Sequence, residues 1–81
     1  MVGSQVVAAW IRDGALLAVR GPSGWRLPIG PLDGELAPSV RDAVREAVRV
    51  AVEVGAVRGR VDGVAVVAVD SDLEPVGDVR W

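Results

Sequence analysis

Glu46 is the residue in this chain best placed to do chemistry. It follows Arg45 on a helical pattern, with Asp42 one turn earlier and Glu53 further on. Carboxylates at i and i+4 share a helix face, and hard divalent ions such as Mg²⁺ bind clusters of such oxygens. Asp42, Glu46 and Glu53 are too spread to hold one ion unaided. Glu35, Arg45, Glu53, Trp25 and Arg26 are candidate ligand-binding residues. The plainer reading of Arg45-Glu46 is a solvated face with ion pairs at helical spacing, and it is the one expected.

The absent residue types close off other chemistries. There is no Cys and no His. That removes disulfides, thiolate metal sites, Ser-His triads and most transition-metal centres. All nine basic residues are arginines. Arginine suits bidentate recognition of phosphate, but Lys, Asn, Phe and Tyr are missing too, which points to a coding bias toward GC-rich codons. The net charge of −2 and pI near 4.9 argue against a nucleic-acid backbone as the main ligand. No run approaches the roughly 20 apolar residues of a membrane span. Met1-Val2-Gly3-Ser4-Gln5 has neither a basic leader nor a long apolar stretch. A cytoplasmic location is expected.

The chain of 81 residues is read as one domain, 1–81. Its apolar fraction is 51%, mostly Val and Ala. Three tryptophans are the only aromatics. Trp10 and Trp25 could stack on a planar ligand, but in so aromatic-poor a chain both are expected in the core. Trp25→Ala is then expected to cost roughly 3–5 kcal/mol.

The elements that must position these residues can be read in order. Val6 to Ile11 and Ala15 to Val19 are apolar runs around Asp13-Gly14, the pattern of a tight hairpin. Gly21-Pro22-Ser23-Gly24 reads as a loop. Trp25-Arg26-Leu27 reads as a short strand ended by Pro28, and Gly30 to Pro38 as an ordered loop. Ser39 is expected to cap a helix, with Asp42 as a weak capping-box acid. Val40, Ala43, Val44, Ala47, Val48 and Ala51 form its apolar face. Beyond Val48 a rival period of two begins, with Val48, Val50, Val52 and Val54 alternating. Gly55 is the expected terminator. Asp62-Gly63 is a turn within a β-rich stretch from Val57 to Val69. Val64 to Val69 suggests a central strand apolar on both faces, and Pro75 to Trp81 a closing edge strand. The order gives an α+β domain, a mixed sheet with one main helix.

Several segments together resemble the Nudix hydrolase family. They are Val6 to Gly14, Leu16 to Arg20, Trp25-Arg26-Leu27-Pro28-Ile29-Gly30 and Asp78-Val79-Arg80-Trp81. The last is similar to a late segment that usually reads E-V-R-W. The family signature is G-x5-E-x7-R-E-U-x-E-E-x-G-U, with U a bulky aliphatic residue. Gly30 matches its first glycine. The first glutamate falls on Leu36, with Glu35 one place early. Arg45-Glu46 matches R-E if the loop is one residue longer, and Ala47 then matches U. The paired glutamates fall on Arg49 and Val50, and the motif glycine on Val52.

The resemblance implies a shortened, compact Nudix-like fold with a degenerate box. It implies a binding or assembly module rather than a hydrolase, with no metal needed and a nucleotide or protein as possible ligand. The alternative that the resemblance implies is an Mg²⁺-dependent hydrolase of nucleoside diphosphates linked to another moiety, with Glu46 as catalytic candidate and principal ligand, Glu46 and Glu53 as the metal-ligand pair, and the substrate diphosphate completing the shell. A second alternative is a structural, self-associating subunit. A homo-oligomer is expected, because the predicted helix face is broader than one small sheet covers, with Val50 and Val52 at its margins.

Overall fold

The Asp13-Gly14 turn forms, with φ of 51° and 80°, the left-handed pair that a two-residue hairpin needs. In the computed structural model, which describes residues 4–81, β1 (Gln5–Arg12) returns as β2 (Ala15–Leu16). Ile11 faces Leu16 and Arg12 faces Ala15. Met1, Val2 and Gly3, on which the leader reading partly rests, lie outside the described residues. The hairpin's second arm breaks at Leu17, which is fully buried and donates its N–H to Trp10 O. The chain then enters a different sheet.

That second sheet has the order β4-β3-β8, from β3 (Ala18–Gly21), β4 (Gly24–Arg26) and β8 (Val79–Arg80). Gly21 pairs with Gly24, so Pro22-Ser23 is a tight turn between two strands rather than an open loop. Of the closing segment only Val79–Arg80 is strand, and it lies at the edge as expected.

The main sheet adds β5 (Ile29–Pro31), β6 (Glu53–Val61) and β7 (Val64–Asp70) to the first hairpin, in the order β2-β1-β7-β6 with β5 also on β1. β6 and β7 form a hairpin over Asp62-Gly63, again with positive φ at both residues. β1 and β7 are parallel, with Val7 beside Val66 and Ala9 beside Ala68. Val6, Ala8 and Trp10 of β1, and Ala65, Val67 and Val69 of β7, point into the core. Against them packs the single helix α1 (Leu36–Val48) through Val40, Ala43, Val44 and Val48. Each fully buried Val contributes roughly 1.5–3 kcal/mol.

The helix limits differ from the sequence reading at both ends. It starts at Leu36, with Glu35 at the N-cap position and no side-chain cap. Ser39 lies inside the first turn, 4% exposed. Its hydroxyl accepts the Asp33 N–H at 3.0 Å and donates to Glu35 O at 2.7 Å. Ser39 thus fastens the incoming loop from within. Pro38 is tolerated because first-turn N–H groups have no intrahelical acceptor. The helix stops at Arg49, not Gly55. Arg49 takes the left-handed conformation (φ 61°, ψ 28°) and donates its N–H to Arg45 O at 2.9 Å. Gly55 lies within β6. The period of two that competes with the helix belongs to the segment leading from Arg49 into β6. Val50 and Val52 lie beyond the helix and are buried at 8% and 6% exposure, so they are not margins of an open helix face.

β7 is central, but only one of its faces is covered by the helix. Val64, Val66 and Ala68 on the other face are half-buried. The segment after β7 is tied back to α1 instead. Val76 donates its N–H to Val48 O, one of the carbonyls that a helix end leaves without an intrahelical partner. Among the described residues no helix is long and apolar enough to cross a membrane.

Candidate functional site

Gly30 brings β5 hard against α1. A Cβ at Gly30 would stand 2.9 Å from that of Ala43. This approach opens a groove along the exposed flank of the helix, and Glu46 lies on it. One part, a cavity of about 290 Å³, is bordered by Gly30, Asp33, Ser39, Asp42 and Glu46. A neighbouring part of about 270 Å³ is bordered by Val19, Arg26, Pro28, Ala47 and again Glu46. The structure therefore joins Glu46 and Arg26 around one groove.

Arg45 is on the same helix flank. Its partner is Asp42, 3.9 Å away at i,i+3, with both side chains mostly exposed. Such pairs contribute at most about 0.5 kcal/mol. Arg49 makes no ion pair with Glu46 or Glu53 among the described residues. It borders a third cavity with Arg45 and Glu46. Glu46 is thus bounded by Arg26 in one direction and by Arg45 and Arg49 in another.

The other candidates lie elsewhere. Glu35 is at the start of α1, about three helical turns from Glu46. Glu53 is on β6, beside Asp70, Ser71 and Asp72 around a separate cavity of about 430 Å³. The metal-ligand pair Glu46 and Glu53 is not brought together. Among the described residues no three acidic side chains stand close enough to share a metal ion. Mg²⁺, which the resemblance makes conceivable, needs several oxygens in near-octahedral array, and the acids around Glu46 do not supply that set.

The two tryptophans separate. Trp10 is fully buried and meets Trp81 edge to face, with ring centres 5.6 Å apart. Trp25, expected in the core, is 38% exposed. The reason is strand alternation. Arg26 pairs with buried Val19 and so lies on that face of the strand pair, Trp25 lies on the other, and the whole of β4 is at an exposed edge. The large cost expected for its truncation rests on burial that it does not have. Trp25 also does not border the Glu46 groove. Asp33 and Ser39 do, and the sequence reading leaves them out of the site. The tight approach of Gly30 to the helix is the missing signal.

A scan against protein-family models gives no match, and a search of curated proteins finds no relative. Among solved structures the chain is similar to an ADP-ribose pyrophosphatase from Streptococcus suis 89-1591. The TM-score is 0.68 at 22% identity, covering 98% of this chain and 69% of that one. Likeness at that identity speaks to architecture. The chain has a compact α+β fold of Nudix-like form, mixed sheets with one helix.

Proposed function

We propose that the chain is a Nudix-like domain that binds or assembles rather than hydrolyses. The observation supporting this reading is the company of Glu46. At the paired-glutamate positions of the box stand Arg49, which caps the helix, and Val50, which lies beyond it, while Glu35 and Glu53 are remote from Glu46. A guanidinium near a would-be metal site repels the ion. The test is calorimetry with Mg²⁺ and Mn²⁺, together with an assay of ADP-ribose cleavage, the substrate named for the similar structure. No tight stoichiometric metal site and no cleavage are expected. A tight site, or metal-dependent cleavage, that disappears in Glu46→Gln would overturn the reading. A panel of nucleotides in thermal unfolding then seeks the ligand, since binding to the native state raises the midpoint.

One observation favours the hydrolase alternative. Asp33, Asp42 and Glu46 border the same cavity beside Gly30. A diphosphate entering there could supply the missing oxygens, so the metal titrations are run with ADP-ribose present as well.

Assembly is supported by the sheet face opposite α1. Val7 and Ile11 of β1 lie there beside half-buried Val64, Val66 and Ala68 of β7, while Ala9 between them is already buried. Ile11 is 54% exposed. A two-fold homodimer is the commonest way to cover such a face. Light scattering at micromolar concentration tests it. A dimer converted to monomer by Val66→Asp is expected, and a monomer mass for the unmodified chain sinks this part of the proposal.

A further inference from the structure

Trp25 lies on the outer face of the β4-β3-β8 sheet, away from the Glu46 groove. It stands opposite Arg20 in register, and Arg80 stands opposite Ala18, two residues along β3 and so on the same face. Both guanidinium carbons close on its ring, at 5.4 Å for Arg20 and 5.1 Å for Arg80. Two like charges are therefore gathered at one exposed indole, in a chain whose net charge is negative. The ring's electron-rich face offsets part of their repulsion. No carboxylate lies within ion-pairing distance of either, among the described residues. Asp78 accepts the Arg20 N–H through its backbone carbonyl at 3.1 Å, but its side chain pairs with neither arginine. A guanidinium packed on an aromatic ring keeps N–H edges available for an oxyanion.

We propose that Arg20, Trp25 and Arg80 form a binding site for the phosphomonoester group of a small molecule, distinct from the Glu46 groove. Two adjacent guanidinium groups match a dianion with three acceptor oxygens better than they match a single carboxylate. A polyanion such as nucleic acid would draw on a longer row of cations, and this sheet face supplies two.

The test tracks the Trp25 indole N–H and the arginine Nε–H signals by NMR of the whole chain. Inorganic phosphate and ribose 5-phosphate are titrated separately, each against sodium chloride at equal ionic strength. Saturable shifts at Trp25, Arg20 and Arg80 are expected, with affinity at least tenfold weaker in Arg20→Gln/Arg80→Gln. Both arginines are on an exposed face, and an unchanged Trp10 indole signal verifies that the variant is folded. Equal response to both probes identifies the phosphate group as the recognised element, and response to ribose 5-phosphate alone identifies the ester. Shifts reproduced by sodium chloride, retained in the double variant, or centred on Glu46 would overturn the proposal, as would no response to either probe.

Discussion

The Cβ of Ala43 would be 2.9 Å from a Cβ placed on Gly30, so the strand–helix contact that shapes the Glu46 groove leaves no room for a side chain. Gly30→Ala is expected to lower stability by roughly 1–3 kcal/mol, the usual range for overpacking. Denaturant unfolding measures it. Because the clash is with one methyl group, Gly30→Ala/Ala43→Gly should recover part of the loss despite the helix penalty of glycine. A fully additive double variant would show that the strain lies elsewhere.

Trp10 and Trp25 should respond in opposite ways to truncation. Trp10 is fully buried beneath α1, so Trp10→Ala is expected to cost roughly 3–5 kcal/mol. Its Nε1 has no partner among the described residues. Trp10→Phe therefore removes an unpaired donor as well as volume, and should cost much less than alanine. Trp25→Ala should change stability by under about 1 kcal/mol, since its ring is on an exposed face. Equal losses at the two sites in chemical denaturation would contradict this placement.

Local signals in the sequence carry the turns and the helix body. Asp13-Gly14 and Asp62-Gly63 are hairpin turns because two consecutive residues must accept positive φ, and Asp-Gly announces that. The apolar spacing of Val40, Ala43, Val44 and Val48 likewise marks the face of α1 that meets the sheet. The features that escape sequence reading depend on distant partners. Ser39 reads as a cap, yet it works from inside the helix because Asp33 folds back onto it. The site divides in a similar way. Glu46 and Arg26 border one cavity only because the chain through β4 and β5 packs along the helix, and Trp25 is outside that cavity. Alternation along Gly24–Arg26 already sends Trp25 and Arg26 to opposite faces, but which face is inward is set by Val19 across the strand.

Arg12 fastens the C-terminal segment. Its guanidinium lies 5.4 Å from the Trp10 ring centre and 4.9 Å from that of Trp81. It also donates to Leu73 O at 3.2 Å and to the Glu74 carboxylate at 2.8 Å. Arg12→Ala should cost roughly 1–3 kcal/mol, through charged hydrogen bonds and stacking lost together. Lysine has no planar fork to serve two rings and a carbonyl, so Arg12→Lys should restore little. Glu74 is 79% exposed at its side chain, and Glu74→Ala should cost under about 1 kcal/mol. If alanine at 74 proved as damaging as alanine at 12, the ion pair rather than the stacking would be the main support.

Arg49 ends the helix in a conformation that suits glycine better than arginine. Its φ of 61° is left-handed, a region that costs a residue with a Cβ roughly 1–2 kcal/mol. Glycine enters that region freely and is the commonest residue just past a helix. The gain is reduced by the extra freedom glycine gives the unfolded chain. Arg49→Gly is therefore expected to raise stability by about 0.5–1 kcal/mol, with the Arg45 C=O still accepting the same backbone N–H. The substitution also removes one of the two cations that border the cavity on this side of Glu46. If hydrolysis failed only because Arg49 repels the ion, Arg49→Gly would bind Mg²⁺ measurably better than the unmodified chain. No such gain is expected, because the acids needed to complete the shell stay remote. Calorimetry on the stabilised variant separates the two effects: a higher unfolding midpoint without metal affinity is the predicted outcome, and a new stoichiometric Mg²⁺ site would show that one arginine alone had silenced the groove.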